Sequence, residues 1–119
     1  MPCPATIESG KIEIILMKNP LEELVGLRVT KAEIVHDYLQ VILGERAGIR
    51  ICNDYRLSGQ TQPSTLTGLV LTGVYQNDSQ VVISFEGDVK MVISLLPEAY
   101  KGPEAIILNR EGLPPVVWN

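Results

Sequence analysis

The sequence predicts a mainly β protein: two three-stranded antiparallel meander repeats related by a pseudo-twofold axis, plus a C-terminal hairpin, sandwich or barrel-like, with short helical turns. Three observations lead there. First, Leu24-Val25-Gly26-Leu27 recurs as Leu66-Thr67-Gly68-Leu69, an offset of 66 − 24 = 42 positions. Second, the offset runs on without a gap, setting Leu39 on Val81, Val41 on Ile83, Leu43 on Phe85, Ile49 on Met91 and Ile51 on Ile93. Third, apolar residues after each echo recur every second position, the period of a half-buried strand.

The elements follow in order. Lys11 to Met17 alternates and then runs apolar, which predicts a strand. Asn19-Pro20 next supplies a capping side chain and a proline suited to a first helical position, so Leu21 to Leu24 is expected to make one helical turn that Gly26 ends. Pro63, Ser64 and Thr65 lead into Leu66 in the same way, with Gly68 closing the turn. Repeat one (about 20–57) then reads as strands Val29 to Val35, Leu39 to Leu43, and a third carrying Ile49 and Ile51. His36-Asp37 and Gly44 to Gly48 make its turns. Repeat two (about 62–100) reads as Leu69 to Tyr75, a strand with Val81, Ile83 and Phe85 on one face, and Val89 to Leu95. Leu57 to Thr65, rich in Ser, Gly, Gln, Thr and Pro, is expected to link the repeats. The C-terminal hairpin (about 103–118) has strands Glu104 to Leu108 and Pro115 to Trp118. Pro114-Pro115 suits an edge, where no ladder donor is needed. Tyr38 and Tyr75 are expected to pair across strands, and Trp118 to cap the core.

Composition narrows the function. The chain has 119 residues, 45% of them hydrophobic and 20% charged, which suits one domain with its own core. Its net charge of −4 repels phosphate backbones, so no nucleic-acid partner is expected. Cys3 and Cys52 stand far apart, with neither the spacing of a zinc site nor a disulfide framework. No basic start followed by an apolar run marks a signal peptide and no segment is long enough to span a bilayer, so a cytoplasmic protein without membrane contact is expected.

Motifs of chemistry are sparse. His36, the sole histidine, falls in a predicted turn. Glu22-Glu23 suits the opening of a helical turn, and Glu86 with Asp88 flanks a turn glycine. The glycines form no phosphate-binding loop, and no cofactor is expected. What stands out is a polar cluster after the third strand of each repeat: Cys52-Asn53-Asp54-Tyr55-Arg56-Leu57 in the first and Leu96-Pro97-Glu98-Ala99-Tyr100-Lys101 in the second. Each combines an acid, a tyrosine and a base. Tyrosine and arginine are common anchors of protein interfaces, so Asp54, Tyr55, Arg56, Glu98 and Tyr100 are the expected partner-binding residues.

The doubled Leu-x-Gly-Leu layout, the Pro97-Glu98-Ala99-Tyr100 segment and the tryptophan near the C-terminus resemble a family of small β-rich bacterial proteins of unassigned function. Some of these look like immunity proteins encoded beside secreted toxins. Members carry an aromatic-acid-x-aromatic element where this chain has Pro97 to Tyr100, so only Glu98 and Tyr100 match it. The resemblance implies a non-catalytic protein that occludes a toxin, and an acidic surface suits a basic one. Two alternatives stay open: a small enzyme or ligand-binding domain with a cleft between the repeats near Cys52 and Asp54, and a structural module whose exposed strand edges let two copies pair as a homodimer.

Overall fold

A computed structural model describes residues 19–59 and 62–119. The strand expected at Lys11 to Met17 lies outside the described residues, as does Cys3. Among the described residues nine strands run in order: β1 (Val29–Val35), β2 (Tyr38–Leu43), β3 (Ala47–Ile51), β4 (Tyr55–Ser58), β5 (Leu71–Gln76), β6 (Gln80–Phe85), β7 (Val89–Ser94), β8 (Ile106–Arg110) and β9 (Leu113–Trp118). Short 3-10 turns occupy Pro20–Leu24, Pro63–Leu66 and Pro97–Ala99. The protein is mainly β, as the alternation predicts.

The strands form two antiparallel sheets. One has the order β1-β2-β3-β8-β9, the other β4-β7-β6-β5, and neither closes into a barrel. β1 to β3 and β5 to β7 are the two expected meanders, and their strand boundaries fall within two residues of those read from the alternation. Each meander nevertheless takes a further strand from across the molecule. Tyr55–Ser58, expected as a strand exit and the start of a linker, is β4, and it leaves the first meander to pair with β7. The C-terminal hairpin leaves the second meander and pairs through β8 with β3. The physical reason lies in the inner faces. β3 points Ile49 and Ile51 inward and β7 points Met91 and Ile93 inward, so an open edge would leave those rows half wet. Ile106 and Leu108 extend the first row, Tyr55 and Leu57 the second. β9, with Pro114 and Pro115, ends the five-stranded sheet as an edge strand.

One continuous cluster of buried side chains joins the sheets. Leu39, Val41, Leu43, Ile49 and Ile51 enter from the first, and Val81, Ile83, Phe85, Met91 and Ile93 from the second. Full burial of one such side chain stabilises by about 1.5–3 kcal/mol before the entropy of ordering it is subtracted. The 3-10 turns add Leu21, Leu24 and Leu66, each no more than 2% exposed. Asn19 caps the first turn by accepting a hydrogen bond from the Leu21 N–H at 2.9 Å.

The two Leu-x-Gly-Leu echoes meet. Gly26 N–H donates to Leu71 O and Gly68 N–H to Val29 O, both at 2.8 Å. Val29 N–H donates to Leu69 O at 2.8 Å, and Leu71 N–H to Leu27 O at 2.9 Å. An Arg28–Val70 bridge lies between them. Gly26 (φ +96°) and Gly68 (φ +95°) have left-handed backbone that a side chain disfavours, which accounts for glycine at both positions. Tyr38 and Tyr75 do not pair, because they stand in different sheets, opposite Val35 and Val82 respectively. Trp118 is half-buried against the core, and its indole N–H donates to Gln76 Oε1 at 3.2 Å.

Candidate functional site

The connections that carry the chain between sheets meet at one place. Beyond β3, Cys52 N–H and Asn53 N–H both donate to Ala105 O, at 2.9 and 3.2 Å. Asp54 N–H donates to Ala99 O, and Ser94 N–H to Asp54 O, each at 3.1 Å. Asn53, only 1% exposed, adds a side-chain bond from Nδ2 to Ser94 O at 2.8 Å. The short connection 52–54 and the long connection 95–105 are thereby stitched into one surface.

This stitching brings the two expected polar clusters together. Asp54 faces Lys101 at 3.7 Å, an exposed pair worth no more than about 1 kcal/mol. Arg56 and Glu98 are exposed. Tyr55 and Tyr100 are half-buried and pack against the core, so their rings serve the fold as well as the surface. Burial pushes the Tyr55 hydroxyl above its ordinary pKa near 10.0.

Alongside lies a groove of about 310 Å³ on the outer face of β4, β7 and β6. Asp54, Arg56, Gln80, Val92, Ser94 and Leu96 line it. Leu96 is 43% exposed, an apolar side chain at the rim of a charged patch. Sequence reading missed Gln80 and Val92, since only the exchange of β4 into the second sheet places them beside Arg56.

Nucleophilic chemistry finds little support at Cys52. Desolvation raises its thiol pKa above 9.0; Arg50 pulls it down while Glu104 and Asp37 push it up, and the net direction is upward. At neutral pH the thiol stays protonated, the unreactive form. Among the described residues no group of three or more His, Cys, Asp or Glu side chains is placed to hold a metal ion, and no helix is long and apolar enough to cross a membrane.

A second groove, of about 430 Å³, opens on the outer face of the five-stranded sheet around Gly48 and Arg50. Neither residue stood out in the sequence. No family model matches this chain, and neither a curated protein nor a solved structure does.

Proposed function

We propose that this protein is a non-catalytic protein-binding protein, acting as an immunity protein that occludes a toxin, with its contact patch at the strand crossing. The observation that carries this reading is the crossing itself: exposed Leu96 in one groove with Arg56 and Asp54, on connections held by five hydrogen bonds. An apolar anchor ringed by charges on a rigid frame is the arrangement that protein interfaces favour, because little entropy is lost on binding. The net charge of −4 suits a basic partner and would raise its association rate.

The frame is proposed to be two copies of one unit about a pseudo-twofold axis passing near the Arg28–Val70 bridge. Support comes from hydrogen bonds that recur at the same offset as the sequence echo. Gly44 N–H donates to Arg28 O and Glu86 N–H to Val70 O, both at 2.9 Å. Register shifts fall at Val29/Lys31 and again at Leu71/Gly73. Under this symmetry the copies differ most between β3 and β4 against β7 and β8, which is where the contact patch is placed.

The test is a pull-down from the native strain with the full chain as bait, with captured proteins identified by mass spectrometry. The affinity of the captured partner is then measured for wild type, Leu96→Asp and Arg56→Ala. A loss of about tenfold or more for each supports the patch. Unchanged affinity in both variants, with unfolding midpoints intact, would remove it.

A further inference from the structure

The outer face of the five-stranded sheet has a chemistry of its own, remote from the crossing groove in its residues. Facing away from the core, one cross-strand row runs Glu33, Gln40, Arg50, Ile107, Val117. Along the neighbouring row Ile42 pairs with Gly48 and Gly48 with Asn109. A sheet face turned to water is normally polar. Here Ile42 and Ile107 stand on the outer face, and Val117 is 43% exposed. The missing side chain at Gly48 hollows the centre into the groove of about 430 Å³.

Arg50 stands beside this hollow with its guanidinium stacked on Tyr38, 4.8 Å from the ring centroid. Its Nε is buried and has no hydrogen-bond partner. Arg28, Arg46 and Arg110 each have a carboxylate within 4 Å, from Glu86, Glu111 and Glu23. Among the described residues Arg50 and Arg56 have none, and of these two only Arg50 is stacked on an aromatic ring. A guanidinium whose plane is fixed by stacking, and whose donors lack a carboxylate, is organised in advance for one.

We propose that this groove docks an extended segment of a protein partner that carries a single carboxylate between small apolar residues. The carboxylate meets the Arg50 guanidinium, one apolar neighbour lies on Ile42 in the groove and the other on Ile107, which stands outside it opposite Arg50 on β8, and Gln40 offers an amide beside them. Glu45 and Glu111 stand at the end of the groove and repel a run of acids, so one isolated acid fits and a polyacidic tract does not. Arg46, 3.3 Å from Glu111, offsets part of that repulsion.

The test uses the full chain, 15N-labelled, titrated with the blocked pentapeptide Ser-Val-Glu-Val-Ser and with its Gln analogue. The expected result is a saturable shift of the Gly48, Arg50 and Ile107 amides and of the Arg50 Nε–H signal, with Kd below about 1 mM. Replacing Glu by Gln should weaken binding about tenfold or more. Arg50→Gln should abolish it. Gly48→Val should fill the groove and block binding while the fold persists, since a Cβ there would stand 3.7 Å from Val41 O, an ordinary contact. Leu96→Asp, in the other groove, should bind the peptide as wild type does. Equal binding of the two peptides, undiminished binding by Arg50→Gln or Gly48→Val, shifts confined to residues 54–56, or no saturation would each overturn the proposal.

Discussion

Replacing Gly26 or Gly68 by alanine isolates one physical effect at two related places. Their φ angles are +96° and +95°, and a Cβ built on either meets nothing within 4 Å. No clash contributes, and alanine keeps the N–H that bonds Leu71 O or Val29 O. What remains is backbone strain. Left-handed backbone costs an L-residue about 1–2 kcal/mol, and the stiffer unfolded chain returns about 0.4–1 kcal/mol. Each variant should therefore lose between about 0 and 1.6 kcal/mol, centred near about 0.8, and the two losses should agree to within about 0.5 kcal/mol. Urea unfolding reads this directly, as a lower midpoint with an unchanged slope. Two further glycines calibrate the experiment. Gly73 has ordinary backbone and open space, so Gly73→Ala should gain about 0.5 kcal/mol. At Gly59 a left-handed backbone (φ +91°) adds to a Cβ only 3.0 Å from Asp88 O, so Gly59→Ala should lose more than about 2 kcal/mol. A large loss at Gly26 with none at Gly68 would refute the reasoning, because matched geometry would then not mean matched energy.

Three more outcomes follow from named contacts. Asn53→Ala should lower stability by about 1–3 kcal/mol in the same urea assay, since it removes the donor to Ser94 O from a site only 1% exposed. Glu23→Ala should cost about 1–2 kcal/mol, because Arg110, with its side chain 18% exposed, loses its 2.9 Å carboxylate partner while its Nε is already without one. Its effect should shrink little in high salt, unlike that of Asp54→Ala at the exposed Lys101 pair. Stability should also decline at alkaline pH. Cys52 and Tyr55 have folded-state pKa values raised above 9.0 and 10.0, so the unfolded chain releases these protons first. Their contribution is complete below pH 9 and is lost as pH rises through the folded values. Tyr55→Phe and Cys52→Ala together should flatten the dependence of urea midpoint on pH between about 9 and 11; an unchanged slope would show that burial of these two groups does not govern it.

The meanders were legible because their inner faces write a period of two into the chain, and both turns and strands then have nowhere else to fall. Leu39, Val41 and Leu43 are buried together, as are Val81, Ile83 and Phe85, because a one-residue slip would turn each row to water. The 3-10 turns were legible from Pro20 and Pro63. The sheet order was not. Tyr55-Arg56-Leu57-Ser58 is only four residues long, too short for periodicity to mark, and its partner β7 lies more than thirty positions away. A polar linker and an edge strand that crosses between sheets have the same local composition. Missing the crossing had a consequence for the site: Tyr55 and Arg56, expected at a strand exit, lie within β4, and Gln80 and Val92, which share its groove, had no signal.

The exchange of strands ties the site to the stability of the whole molecule. β4 is continuous with the first meander yet completes the inner face of the second, and β8 does the reverse. Neither meander can keep its sheet if the other unfolds, so the two should melt in a single transition rather than in two steps. Between them the short connection spans 52–54, while the long one spans 95–105 and carries the Pro97–Ala99 turn, Glu98, Tyr100 and Lys101. The added length is accommodated on the surface, where a longer loop costs only about 0.6 kcal/mol per doubling. Its exposed residues, such as Glu98 and Lys101, can change without disturbing either inner row, whereas a change within β3 or β7 disturbs the shared core. The frame therefore confines chemical variety to the crossing and to the outer faces of the sheets. Those are the places where Leu96 and Arg50 stand: one an apolar side chain left at a charged rim, the other a cation stacked on Tyr38.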